Sequence, residues 1–384
     1  MESECGVFGI AKGVSVWEPY RKLEMEATKP HKRRGRLPKI EVVDLFCGIG
    51  GLSYGMKSKG LKILTGFDLD WTCQYAYETN NEAKFVYKDI RDVQKEDIAP
   101  LYSKNAIKVL AGCAPCQPFS SYAFKNKNKD EKKYNLLYEF GRLVKEVRPD
   151  IVTMENVPAI ASFKLQSVLG DFVLALEEEG YNVLFQVVYC PDYGIPQTRK
   201  RLVLLASRLG MIDLIPPTHH KENYVTVRDT IEQLPPLKAG ECCPTDALHR
   251  ARTLSPLNMR RMLATPYGGS WKDWPEDLML ECHKKEGGKS FGSVYGRMVW
   301  DEPAPTMTTE CTGIGNGRFG HPEQNRAISA REAALIQTFP ASYKFFPNEQ
   351  EVSLAKASRY IGNAVPPRLG EVIAESIKRH IRNH

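Results

Sequence analysis

The sequence predicts an α/β fold: a mostly parallel sheet with a late antiparallel addition, followed by a smaller, loop-rich region. Three observations lead there. Apolar strand-length runs alternate with helix-period segments from Ile40 to about Ser207. A glycine-rich turn, Cys47-Gly-Ile-Gly-Gly51, follows the first of those runs. From about Leu209 to Gln324 the regular pattern fails, and Pro, Gly, Trp, His and charged residues are interspersed.

Each element has its own signal. Ile40 to Phe46 is an apolar strand, and Leu61 to Phe67, Lys84 to Tyr87, Ile107 to Leu110 and Ile151 to Met154 are the next candidates. Leu136, Leu137, Phe140, Leu143, Val144 and Val147 share one helix face, which ends before Pro149. Val168, Leu169, Phe172, Val173 and Leu176 form a second face, stopped by Gly180. Asn182 to Tyr189 and Arg201 to Ala206 are two runs joined by Cys190-Pro-Asp-Tyr-Gly-Ile-Pro196, the layout of an antiparallel pair. After Arg326 two helical patterns return, the last with Leu369, Val372, Ile373, Ile377 and Ile381 on one stripe.

Composition narrows the class. A chain of 384 residues with 42% hydrophobic and 26% charged residues fits a soluble globular protein of one large and one smaller domain. No apolar run approaches the roughly 18 residues that span a bilayer, and no signal layout opens the chain. Ten irregularly spaced cysteines argue for a reducing, cytoplasmic setting. A formal charge of +7 is compatible with a polyanionic partner. The basic stretch Lys29 to Lys39 reads either as a solvated linker or as a phosphate-contacting arm.

The candidate chemistry sits at strand ends. Pro115-Cys116-Gln117 directly follows the Ile107 run, so Cys116 lies where ligands bind in an open α/β sheet. A thiol there serves as a nucleophile if the site favours the thiolate. Glu155 would end the adjacent strand and face the same crevice, with Arg201 as a supporting donor. A carboxylic acid beside a bound pyrimidine could hydrogen-bond its N3 and make the ring open to a thiolate. The turn fails the dinucleotide pattern, because Ser53 stands where the third glycine belongs. With Asp68 at the end of the next strand and Asp89 after the third, it suits an adenosine pocket that needs no phosphate contacts. Cys113-Ala-Pro-Cys116 is formally a dithiol motif. Cys242-Cys243 and Cys282-His283 lack the spacing of a zinc pair, so no metal is expected.

Six motifs in order then carry a family resemblance: Asp44-Leu-Phe-Cys-Gly-Ile-Gly-Gly51, Pro115-Cys-Gln-Pro-Phe-Ser120, Glu155-Asn-Val157, Gln197-Thr-Arg-Lys-Arg201, Arg331 to Pro340, and Gly362-Asn-Ala-Val365. The chain resembles the DNA cytosine-C5 methyltransferases of bacterial restriction-modification type. The resemblance implies a SAM-dependent methyltransferase (Rossmann-like) mixed sheet with a loop-rich target recognition domain. It divides the chain into a basic N-terminal extension (1–39), a catalytic domain (40–208), a target recognition domain (209–325) and a segment returning to the catalytic domain (326–384). S-adenosyl-L-methionine is the implied cofactor, lined by Phe46, Gly48, Ile49, Gly50, Gly51, Leu52 and Leu136, and by Asn363, Ala364 and Val365. Asp68 would bind its ribose, Leu69 would pack on adenine, and Asp89 with Ile90 would read the adenine edge.

The implied reaction begins with a cytosine flipped from double-stranded DNA. Cys116 attacks C6, Glu155 acts at N3, Arg199 and Arg201 support the flipped base, and C5 takes the methyl group. Two departures stand out: Asp68 where Glu is usual, and Met307 after Thr306 where the family has an aliphatic residue. Arg252, Arg260, Arg261, Arg297 and Arg318 are the candidates for guanine or phosphate contacts. A tRNA cytosine methyltransferase of the same fold is the rival, but its Cys-Phe-Thr signature is absent. The expectation is a monomer in the bacterial cytoplasm, nucleoid-associated, with no membrane partner and any cognate restriction endonuclease not physically bound.

Overall fold

The computed structural model describes residues 37–115, 135–161, 166–285 and 292–384. Residues 1–36 of the extension, and Cys116 with residues 117–134, lie outside the described residues.

Among the described residues, seven strands form one sheet in the order β3-β2-β1-β4-β5-β7-β6. They are β1 (Ile40–Leu45), β2 (Lys62–Asp68), β3 (Lys84–Tyr87), β4 (Ile107–Gly112), β5 (Ile151–Asn156), β6 (Asn182–Tyr189) and β7 (Lys200–Ser207). The apolar runs had marked each of these within a few residues. All neighbours pair in parallel except β7, which inserts antiparallel between β5 and β6. Helices α1 (Gly51–Ser58), α2 (Gln74–Asn81), α3 (Lys95–Ile98), α4 (Asn135–Val147) and α5 (Gln166–Glu178) connect the strands.

Both faces of the central strands are covered, which is why β1 and β5 are buried at every position. Alternate residues therefore feed two cores. Val42, Val109, Ala111, Ile151, Val203 and Leu205 go to one. Val43, Leu45, Leu110, Val152, Met154, Leu202 and Leu204 go to the other, beneath Phe140, Leu143 and Val144 of α4. Chain order reverses between β1 and β4, so a crevice opens there at the carboxyl ends of the strands.

The segment after Ser207 is short on regular structure but well packed. It holds α6 (Val227–Ile231), the paired strands β8 (Cys242–Cys243) and β9 (Asp246–Arg250), α7 (Pro256–Ala264) and α8 (Glu281–Lys284). Trp271, Trp274 and Leu278 form a small core, with the His283 ring stacked 4.1 Å from Trp271. Its arginines correct an expectation. Arg297 is buried and donates to the carbonyls of Thr265 (2.7 Å), Met262 (2.8 Å), Gln324 (2.8 Å) and His321 (3.1 Å). Arg261 is buried too, bonded to Leu278 O at 3.0 Å and lying over the Trp274 ring. Arg318 donates to the carbonyls of Gly269 (2.8 Å) and Arg297 (3.0 Å). These three hold the backbone in place of secondary structure, because buried carbonyls without a ladder need donors from elsewhere. Arg252 and Arg260 keep exposed side chains.

Two helical patterns are expected after Arg326, and three helices are found: α9 (Ala330–Ile336), α10 (Leu354–Asn363) and α11 (Pro367–Asn383). At seven residues α9 spans under two turns, too few for a period to stand out. Its definition comes from a capping box between Ser329 and Glu332. Buried Arg326 anchors Glu332 with two bonds of 2.7 Å. The start of α11 presses on α1: a Cβ on Gly55 would lie 2.0 Å from Pro367 O, and one on Gly51 would lie 2.2 Å from Val365 O. Only glycine permits that approach. Among the described residues no helix is long and apolar enough to cross a membrane.

Candidate active site

The glycine turn is built from left-handed residues. Phe46 (φ 58°), Gly48 (φ 51°) and Gly50 (φ 88°) all have positive φ. Glycine takes this region freely, whereas a bulky residue such as Phe46 is strained by about 1–3 kcal/mol. A Cβ at Gly50 would collide with Asn81 Nδ2 at 2.1 Å. The turn is pinned by Cys47 N–H to Phe67 O (3.1 Å) and Gly50 N–H to Cys47 O (2.9 Å).

Asp68, the last residue of β2, receives Gly48 N–H on one oxygen and Asp70 N–H on the other, each at 2.8 Å. Burial raises its pKa against the pull of these bonds. Asp44 lies deeper. Its Oδ2 accepts from Ser53 Oγ at 2.6 Å, Oδ1 has no hydrogen-bond partner, and burial lifts its pKa to about 7. Asp89 pairs with Arg91, whose Nε lies 2.9 Å away, and this bond lowers its pKa. The other cations at this end are engaged as well: Lys88 with Asp97 at 2.6 Å and Arg359 with Asp70 at 2.7 Å.

The far end of the crevice follows from strand register. Val109 and Ala111 of β4 pair with Ile151 and Thr153 of β5. Two residues further, the same face brings Cys113 beside Glu155, and Cys113 Sγ lies 3.0 Å from Glu155 Oε2. Across β5 and β7 Glu155 pairs with Val203, so Arg201 shares its face one pleat along. Arg201 Nε stands 2.7 Å from Glu155 Oε1. The contact is an ion pair without hydrogen-bond alignment, so buried Oε1 accepts no hydrogen bond among the described residues. Arg199 is also buried. It donates to Met307 O at 3.0 Å and Gly362 O at 3.5 Å, while its Nε has no partner. Burial, with the charge of Arg201 adding, lowers its pKa to about 10.

One cavity of about 590 Å³ joins the two ends. Phe46, Gly48, Ile49, Gly51, Leu52, Asp68, Leu69, Asp89, Ile90, Leu136, Asn363, Ala364 and Val365 line it, together with Glu155, Arg199 and Arg201. Gly50 shapes the turn without lining the cavity, and Cys116 follows Pro115, the last lining residue described on that side. Sequence reasoning missed Asp70, Thr309, Arg359 and Tyr360 on the wall. Arg359 and Tyr360 sit on α10 and reach Thr72 at 3.0 and 2.9 Å, a junction that no local pattern announces. Asp70 alone had a local signal, two residues past Asp68 on the same loop.

A family model described as C-5 cytosine-specific DNA methylase matches residues 40–379. The chain belongs to the C-5 cytosine-specific DNA methylases. This methylase is 54% identical over 340 residues to the Type II methylase M.HgiDII of Herpetosiphon aurantiacus, covering 88% of this chain and 95% of the relative. It is 32% identical over 348 residues to the Type II methyltransferase M.Eco47II of Escherichia coli, covering 88% and 78%. Among solved structures, a prophage-encoded DNA modification methyltransferase from E. coli superposes with a TM-score of 0.68 at 22% identity, covering 89% of this methylase and 99% of that chain. Spodoptera frugiperda DNMT2 superposes at 0.60 and 17% identity, covering 88% and 99%. Likeness at these identities speaks for the fold.

Proposed function

We propose that this methylase transfers the methyl group of S-adenosylmethionine to C5 of a cytosine flipped out of duplex DNA, as the modification enzyme of a Type II restriction-modification system. The observation that carries the reading is the single cavity, with acid-rimmed walls at one end and Glu155, Arg199 and Arg201 at the other. The cofactor's chemistry fits the first end. Asp68 retains lone pairs for ribose hydroxyls, Leu69 offers apolar surface at the mouth, and Asp89 with Ile90 flanks the adenine position. Lys88, Arg91 and Arg359 are already paired with carboxylates, which suits a ligand without phosphates. The unpartnered Asp44 Oδ1 favours a cationic group nearby. Bound there, S-adenosylmethionine supplies an electrophilic methyl group.

The remaining roles belong to the chain. Cys116 forms the bond to C6 that makes C5 nucleophilic, and it leaves as thiolate once the C5 proton is removed. Glu155, which lines the cavity, engages the base at N3. Arg201 supplies a countercharge to that carboxyl, and buried Arg199 donates to Met307 O beside it. The segment 209–325 would choose the target sequence. The names of M.HgiDII and M.Eco47II support the Type II assignment.

The test is transfer of labelled methyl from S-adenosylmethionine to long unmethylated duplex DNA, with tRNA as the competing substrate. The wild type is expected to label cytosine in DNA. Cys116→Ser is expected to abolish labelling and keep cofactor binding. Near-normal turnover by that variant, or transfer to tRNA alone, overturns the reading.

A further inference from the structure

We propose that Cys113, three residues before the assigned nucleophile, is a positioning residue that orients Glu155 for the methyl transfer; this rests on the reading of Glu155 above. The contact is set by the sheet. The β4–β5 register carries Cys113 onto the face and level of Glu155, and its Sγ lies 3.0 Å from Oε2. A thiol is a weak donor in general, but a carboxylate acceptor in a buried site strengthens the bond.

Glu155 is 3% exposed, and its carboxyl lies between two groups, one per oxygen. Cys113 donates to Oε2, and the Arg201 guanidinium stands 2.7 Å from Oε1. Arg201 supplies charge there without an aligned N–H, so it fixes the carboxyl plane poorly. The directional bond from Cys113 does that work. It ties Oε2 back towards β4, while Oε1 faces the Arg201 guanidinium, so the carboxyl is held in one plane at the cavity wall. A carboxyl that must meet a base edge within a few tenths of an ångström gains rate from being held in one orientation. The competing role for Cys113 is apolar filling beside the core. The two roles rank substitutions in opposite order, since serine keeps a donor and alanine keeps only apolar character.

The experiment is steady-state kinetics of the full chain on long unmethylated duplex DNA with tritiated S-adenosylmethionine, alongside thermal melting. Cys113→Ala is expected to lower kcat roughly tenfold, the factor of about one such hydrogen bond, with cofactor KM unchanged and the melting temperature lower by only a few degrees for the donor lost to Oε2. Cys113→Ser is expected to recover kcat to within about twofold of wild type, since it restores a donor. If Cys113→Ala does not fold, Cys113→Val takes its place as the donor-free variant. Full kcat in the donor-free variant, or a serine variant no faster than it, overturns the proposal. Glu155→Gln separates the two levels. If it is inactive while Cys113→Ala runs at full rate, only the positioning role fails. If Glu155→Gln itself turns over normally, the role assigned to Glu155 fails first.

Discussion

The sheet half and the irregular segment bury charged groups to opposite ends. In residues 40–207 five buried polar atoms among the described residues lack hydrogen bonds, and three of them, Asp44 Oδ1, Glu155 Oε1 and Arg199 Nε, belong to residues that line one cavity, while Asn81 Oδ1 and Thr153 Oγ1 do not. In residues 209–325 the buried arginines are spent on carbonyls, as Arg297 is on four of them. That segment keeps two unbonded atoms of its own, Arg252 Nε and His283 Nδ1, and neither residue lines the cavity. An unsatisfied buried polar group costs about 1–3 kcal/mol, so its concentration at one place calls for a reason. A ligand that completes those bonds supplies it. The difference teaches where to look: of the buried atoms without hydrogen bonds, those of Asp44, Glu155 and Arg199 gather at the cavity, whereas the saturated arginines belong to the scaffold.

Arg297→Ala is the sharpest way to break the contrast. It strips donors from buried carbonyls worth about 1–3 kcal/mol each, so denaturant unfolding should show a loss of at least about 3 kcal/mol. Arg260→Ala, at an exposed pair with Asp277, should stay within about 0.5 kcal/mol. Equal losses would mean that burial does not separate the two kinds of arginine. On the ligand side, Asp68→Ala should weaken S-adenosylmethionine binding in calorimetry by roughly tenfold to a hundredfold, the worth of a charged hydrogen bond. An unchanged dissociation constant would place the ribose elsewhere.

The third effect is smaller and has a definite sign. The pKa of Asp44 rises from 3.8 to about 7 in the folded chain because of burial. Between those values the folded state holds a proton that the unfolded state has lost, so stability falls as pH rises through the window. Asp44→Asn removes that liability, though its amide adds an unbonded donor. Its effect on stability, in the absence of cofactor, should therefore be at least about 1 kcal/mol more favourable at pH 8 than at pH 4. An effect of the same size at both pH values would show that the carboxyl's ionisation is not the cause.

Much of the site was legible in the chain itself because strands alternate and their ends carry chemistry. A period of two told which residues face one crevice, and the seven apolar runs located the strand ends bearing Asp68 and Glu155. The glycine turn was equally plain, since Gly50 has no room for a side chain against Asn81. The arginines of the irregular segment were not legible for a related reason. With no ladder to account for its carbonyls, nothing local says which donors they will claim, and Arg261, Arg297 and Arg318, candidates for guanine or phosphate contacts, donate to carbonyls.

Local sequence thus determined the strands, the turn and the identity of the acids at the crevice, because each depends on short-range periodicity or sterics. Tertiary structure alone decided the rest. It brought Arg359 of α10 to Asp70, 289 positions away in the chain, and so closed one wall of the cavity. It set Cys113 against one oxygen of Glu155 across 42 positions and the Arg201 guanidinium against the other. Such pairings depend on strand order and on how α9, α10 and α11 return to the sheet, and those are properties of long-range packing that no window of sequence contains.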